Sequence, residues 1–173
     1  MKIGIISDTH GRLNPEVVRL FAGVDHIIHA GDIGEEQILE ELAAIAPLTA
    51  VAGNIDDFRC GSAGREARVE LEGLRFYVTH IIDRPRRLDS TVANAIASNP
   101  ADVVVFGHSH LPHNERVGDL WFFNPASAGP RRFSYPESVG FFEKRGEEWR
   151  AWHQPLNERS ADALTETMNQ LGR

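Results

Sequence analysis

The chain has 173 residues, enough for one domain with a sizeable core, and its 42% hydrophobic and 25% charged composition is ordinary for a globular protein. Eighteen Lys and Arg stand against 25 Asp and Glu, and the resulting net charge of −7 excludes the broad basic footprint of proteins that track long nucleic acids. The lone Cys60 excludes an intrachain disulfide and a thiolate metal cluster, and no apolar run has the length of a signal-peptide core or membrane helix, so a cytoplasmic protein is expected.

The first half alternates short apolar runs with helical patterns. Lys2 to Ser7 reads as a buried strand. Asn14-Pro15 has the form of an N-cap with Pro at the first helical position, and Val17, Val18, Leu20 and Phe21 supply the apolar side of a short helix. His26 to Ala30 is a second strand, Glu35 to Ile45 a helix with an acidic start, and Leu48 to Ala52 a third strand. Strands separated by helices in this way predict β-α-β units and parallel pairing.

The second half is richer in hairpins. Glu66 to Leu71 and Leu74 to Thr79 turn at Glu72-Gly73, a helix is expected from Asp89 to Ser98, and a strand from Asp102 to Phe106. Gly118-Asp119 between Val117 and Leu120–Phe123 is a strong hairpin signal. Val139 to Glu143 and Glu148 to Trp152 form another pair around Arg145-Gly146, and the polar stretch from about Asn157 is a surface helix or tail. With no linker in view, residues 1–173 read as one α/β domain with mixed sheet. Trp121, Phe122 and Phe123 are assigned to the core; they are also the candidate interface if the chain forms a homo-oligomer.

Polar residues fall where apolar runs end. Asp8 and His10 follow the first strand, Gly31-Asp32 the second, Gly53-Asn54 the third; His80 ends a hairpin strand, and Gly107-His108-Ser109-His110 follows the run at Asp102–Phe106. Carboxyl ends of parallel strands share an edge, and ligand sites form there. Asp8-x-His10 and His108-x-His110 each place two side chains on one side of an extended segment. Imidazole, carboxylate and carboxamide donors suit Mn²⁺, Fe²⁺, Zn²⁺ or Ni²⁺. Asp8, His10, Asp32, Asn54, His80, His108 and His110 are too many donors for one ion and about right for two, which at ~3.5–4 Å separation can clamp the oxygens of a phosphoryl displacement.

This ordered set resembles the calcineurin-like metallophosphoesterases, in particular their compact bacterial and archaeal phosphodiesterase branch, from Ile3 to about Pro130. The resemblance implies two mixed β-sheets packed as a sandwich and flanked by helices, a four-layer fold with its site at strand ends. It implies one ion, Mn²⁺ first among the candidates, held by Asp8, His10, Asp32 and His110, and a second held by Asp32, Asn54, His80 and His108, with Asp32 bridging. A water or hydroxide between the ions would be the nucleophile towards a small phosphate ester, so Asp32, Asn54 and His108 are carried over as catalytic as well. The family also includes members that keep the fold as binding or scaffold proteins, and that is the alternative reading.

The sequence departs from the family at two places. Many relatives carry His after the Gly-Asn pair, where it is held to protonate the leaving oxygen; here the chain has Ile55, then Asp56 and Asp57. An Asp serves as the acid only if burial or anionic neighbours raise its pKa. After His80 the small branch often continues Gly-His, and here Ile81-Ile82 stand instead. His26 and His153 are read as structural, His29 as core or a support behind the ligands, and His113 as a candidate for lining the pocket. Arg12, Arg59, Arg131 and Arg132 are candidate phosphate contacts, with surface solvation the competing role; Arg84, Arg86 and Arg87 are read as a solvated loop. Asn124-Pro125-Ala126-Ser127 resembles the branch's Asn-Pro-Gly-Ser turn and is read as structural, with Ser127 at the pocket floor.

Overall fold

A computed structural model describes residues 1–56, 63–130 and 135–171. Cys60, Asp57, Arg59, Arg131 and Arg132 lie outside those residues. The first sheet contains β1 (Lys2–Ile6), β2 (His26–His29), β3 (Leu48–Ala50), β9 (Ser138–Arg145) and β10 (Glu148–Pro155), in the order β10-β9-β1-β2-β3. The second contains β4 (Glu66–Leu71), β5 (Leu74–Thr79), β6 (Val103–Val105), β7 (Pro112–Val117) and β8 (Leu120–Pro125), in the order β4-β5-β6-β8-β7. Both are mixed. β1, β2 and β3 run parallel, as do β5, β6 and β8, while the remaining pairs are antiparallel.

Alternation along each strand explains why the sheets stack. Ile3 and Ile5 of β1, Phe76 and Val78 of β5, Val103 and Val105 of β6, and Trp121 and Phe123 of β8 all join one core between the two sheets. Their neighbours point the other way. Ile6 and Ile27 meet α1 (Pro15–Phe21) and α2 (Glu36–Ala43), whereas Tyr77, Val104 and Phe122 meet α3 (Ser90–Ser98) through Val92. Helix, sheet, sheet and helix are therefore the four layers. α4 (Glu158–Leu171) lies against β10 and β7, with Ser160 and Leu164 buried. Trp121, Phe122 and Phe123 are buried in these cores, so that hairpin offers no apolar interface.

Local signals set the helix starts. The Asn14 side chain accepts from Glu16 N–H ahead of Pro15, and Asp89 accepts from both Thr91 and Val92 N–H. Most element ends differ from the sequence expectation by a residue or two, and β10 runs three residues further, to Pro155, because its pairing with β9 continues through polar residues. The larger difference is β7. Its polar Pro112–Arg116 segment pairs with β8 as an edge strand, a place where a Pro at the first residue is tolerated.

Candidate metal centre

All five site segments leave the carboxyl ends of parallel strands and meet at one edge of the sandwich. The loop after β1 is tied to the loop after β2 by Asp8 N–H to Gly31 O and His10 N–H to Asp32 O, at 2.9 and 3.0 Å. The loop after β6 is tied to the first sheet by His108 N–H to Asp8 Oδ2 at 3.2 Å. These crossings bring residues a hundred positions apart into contact.

Close approach depends on missing side chains. A Cβ on Gly107 would stand 2.0 Å from Ser7 Oγ and 2.7 Å from Asp8 Oδ2, and one on Gly53 would stand 2.2 Å from both Asp32 N and Asp32 Oδ1. Any other residue at either place would push the two loops apart.

Around Asp8 the polar atoms converge, and the His10 and His110 rings share a hydrogen bond. His10 Nε2 and His110 Nε2 are 3.1 Å apart, Asp8 Oδ1 is 3.3 Å from His110 Nε2 and 3.9 Å from His10 Nε2, and Asp32 Oδ2 is 3.9 Å from His10 Nε2. On the other side Asp32 Oδ1 is 3.2 Å from His80 Nε2. The His80 and His108 rings meet edge-on with centroids 5.3 Å apart, and His108 Nδ1 is 3.0 Å from Asn54 Oδ1. Asp8, Asp32, His80 and His110 are buried, whereas Asn54 and His108 stand at the exposed lip. Asp8, His10 and His110 form one group able to hold an ion; Asp8, Asp32 and His80 form another, so Asp8 as well as Asp32 reaches towards both.

The donor chemistry fits cations. His80 Nδ1 is 2.7 Å from Ala30 O, an acceptor only, so Nδ1 carries the hydrogen and neutral His80 turns the lone pair of Nε2 towards Asp32. Buried Nε2 of His80 and Oδ1 of Asp8 have no hydrogen-bond partner. Lone pairs aimed at lone pairs in a buried site are stable only with a proton or a cation between them. Without a metal the proton serves. Burial works against the charged form of His80, but Asp32, Asp8 and the Ala30 carbonyl outweigh it and raise its pKa. Burial likewise pushes Asp32 up, and His80, the Ile55 N–H and His10 more than reverse this, bringing its carboxyl down to about 2.

Backbone conformation marks the same residues. Among the described residues seven non-glycine positions have positive φ, and Asp8, His10, Asp32, His108 and His110 are five of them. That left-handed region is unfavourable for side chains with a Cβ, and such conformations concentrate at functional sites.

Several supports were not singled out from the sequence, or were given another role. Asp56 is buried, with Oδ2 accepting from Ile33 N–H at 3.0 Å and Gly53 N–H at 2.8 Å, and Oδ1 from Gly34 N–H at 2.8 Å. Its carboxylate is committed to joining the loops that carry Asp32 and Asn54, which corrects its reading as a candidate acid. Thr9 Oγ1 donates to Ile33 O and meets His29 Nε2, both at 3.0 Å. His29 is thus a support behind the ligands, and burial holds its pKa down at about 4 despite the surrounding carboxylates. Ser127 Oγ donates to Asp8 O at 3.0 Å, and Asn124 Nδ2 to Gly107 O at 2.8 Å, so this turn braces two donor loops.

The remaining histidines take the structural roles expected of them, except at one position. His26 meets Thr49 Oγ1, and His153 bonds Asn124 O while stacking on Phe123. His113 lies in β7 with Nε2 3.3 Å from Glu115 Oε2, not among the converging donors. Arg12 is exposed, and Arg86 pairs with Glu115 on the surface.

The chain matches the calcineurin-like phosphoesterase superfamily domain over residues 1–147. It belongs to that superfamily. A probable metallophosphoesterase of Methanothermobacter thermautotrophicus is 33% identical over 141 residues, covering 79% of this chain and 82% of the relative. A phosphodiesterase of Methanocaldococcus jannaschii is 30% identical over 168 residues, covering 87% and 97%. Vps29 of Chaetomium thermophilum superposes with a TM-score of 0.73 at 18% identity over 91% of this chain and 87% of its own, a likeness of fold. No helix among the described residues is long and apolar enough to cross a membrane.

Proposed function

We propose that this superfamily member hydrolyses small phosphodiesters, in preference to monoesters, with two divalent cations, Mn²⁺ first and Zn²⁺, Fe²⁺ or Ni²⁺ as the others, working as a single cytoplasmic domain over residues 1–173. One observation carries the reading: the buried Oδ1 of Asp8 and Nε2 of His80 have no hydrogen-bond partner and stand among the polar atoms of Asp32, His10 and His110, as cation ligands do. Asp8, His10, Asp32 and His110 would hold one ion and Asp32, Asn54, His80 and His108 the other, with Asp32 reaching both because its two oxygens point to opposite histidines. Bound there, two cations supply a water ionised near neutral pH and offset the charge on the phosphoryl oxygens.

The chain's own residues orient and exclude. The Ala30 carbonyl fixes the tautomer of His80, the Asp56 bridge holds Asp32 and Asn54 in register, and the exposed lip at Asn54 and His108 admits substrate. Net hydrolysis joins a water oxygen to phosphorus, breaks one ester P–O bond and yields an alcohol and a phosphomonoester. Ile55 occupies the place where relatives carry a proton donor, so a leaving oxygen stable as an anion departs most readily. The diester preference is supported by the relative named as a phosphodiesterase.

The non-catalytic alternative, a metal-bearing binding or scaffold protein, draws on the same Ile55. Metal-stripped protein assayed on bis(4-nitrophenyl) phosphate and 4-nitrophenyl phosphate, with and without Mn²⁺, Zn²⁺ or Ni²⁺, separates the two. Turnover that needs the metal and favours the diester, and that is lost in Asp32→Ala and His108→Ala while the fold persists, is expected. Full activity in either variant would remove the site assignment, and no turnover with metal bound would favour the scaffold.

A further inference from the structure

Three large apolar side chains are exposed among the described residues, and two of them, Ile55 at 44% and Ile81 at 42%, directly follow the donors Asn54 and His80. Single exposed apolar residues need no explanation, but Ile81 lines a cavity next to the candidate metal centre. The cavity measures about 230 Å³ and has Asn54 and His80 in its wall besides Ile81. It shares that wall with the candidate metal centre.

The rest of the lining indicates what enters. Ala52 and Val92 continue the apolar surface from Ile81, and the hydroxyl-bearing Thr79 and Thr91 stand beside it. The charged groups of the lining are Arg65, Glu66 and Asp89, with Asp89 already capping α3 through Thr91 and Val92 N–H. A lining with one cation and two anions disfavours a second phosphate. The volume is below the ~300–1,000 Å³ of sites that enclose a whole drug-sized ligand, so the cavity takes one group of a substrate.

We infer that this cavity is a subsite for an uncharged aromatic ring on one ester group of the phosphodiester, resting on Ile81 and Val92 while the phosphate lies at the metal centre. The inference rests on the two-metal reading and narrows its substrate to aryl-type or other ring-bearing diesters. It also gives a role to Ile81: a flat apolar face next to His80.

The test is calorimetric titration of the Mn²⁺-loaded protein with phenylphosphonate and methylphosphonate, neither of which can be hydrolysed. Burying one face of a ring corresponds to about a tenfold tighter dissociation constant for the phenyl compound. Ile81→Asn, which removes the apolar face, and Thr91→Trp, which fills the cavity from an exposed position on α3, should each bring the ratio close to one. Equal affinities in the wild type would overturn the subsite and leave the metal reading standing; failure of both phosphonates to bind would overturn the two together. A phenyl advantage that survives both substitutions would place the ring elsewhere and also overturn the inference.

Discussion

Asp56 is the residue whose removal tests the architecture of the centre most directly. Its carboxylate accepts three backbone amides, from Ile33, Gly34 and Gly53, at 3.0, 2.8 and 2.8 Å. Hydrogen bonds to a charged group contribute ~1.5–3 kcal/mol each, and amides left buried without a partner add a further penalty. Water will reach some of them once the side chain is gone, so Asp56→Ala should lose about 3–5 kcal/mol, a large fraction of the ~5–15 kcal/mol typical of a domain. Guanidinium titration of metal-free protein reads this as a fall in midpoint at unchanged slope. Asp56→Asn keeps one oxygen but turns an NH₂ group on at least one amide, so it should lose about half as much. Both should also weaken Mn²⁺ binding, because Asp32 and Asn54 sit on the loops that Asp56 joins. A variant with wild-type stability and metal affinity, but with the descending arm of its pH–rate profile gone, would refute the brace and make Asp56 the general acid.

Two other outcomes follow from distances and burial. Gly53→Ala places a Cβ 2.2 Å from Asp32 N and Oδ1, so the fold should lose about 1–3 kcal/mol and metal affinity should drop ~10–100-fold by calorimetry; unchanged affinity would show that the loops separate freely. Burial holds His153 at about pKa 4, outweighing its bond to Asn124 O, against an ordinary 6.5. The unfolded chain therefore binds the extra proton first, and stability falls as pH drops from about 6.5 to about 4, by up to ~1.4 kcal/mol per pH unit for this group. His153→Gln should flatten that part of the metal-free stability curve, leaving the slope due to His29; an unaltered curve would mean that His153 titrates normally in the native state.

The order of elements was readable because each carries its own local signal. Asn14-Pro15 and Asp89 start helices, Gly118-Asp119 and Glu72-Gly73 turn hairpins, and the apolar runs alternate between the core shared by the sheets and the two cores under the helices. The gathering of the seven candidate donors was readable because each ends such a run, and the fold brings those ends to one edge. Asp56 was not, since its partners lie up to 23 residues away and a loop Asp has many uses. β7 was missed over Pro112–Arg116 because edge pairing with β8 outweighs the poor strand propensity of Pro-His-Asn-Glu-Arg. Thr9 and His29 form a contact whose direction no spacing rule foretells. Sequence also could not show that the donors occupy left-handed backbone, since nothing in Asp or His requires it.

Those left-handed donors bear on how chains of this architecture change over generations. At Asp8, His10, Asp32, His108 and His110 a glycine would sit in the same backbone with no Cβ to oppose it, and each such exchange relieves roughly 1 kcal/mol of conformational conflict while removing a candidate ligand. Backbone conformation by itself therefore favours drift away from these side chains; against it stand the tie of Asp8 to His108 N–H, that of Asp32 to Ile55 N–H, and selection on what the donors do. The sandwich beneath them persists on its cores alone.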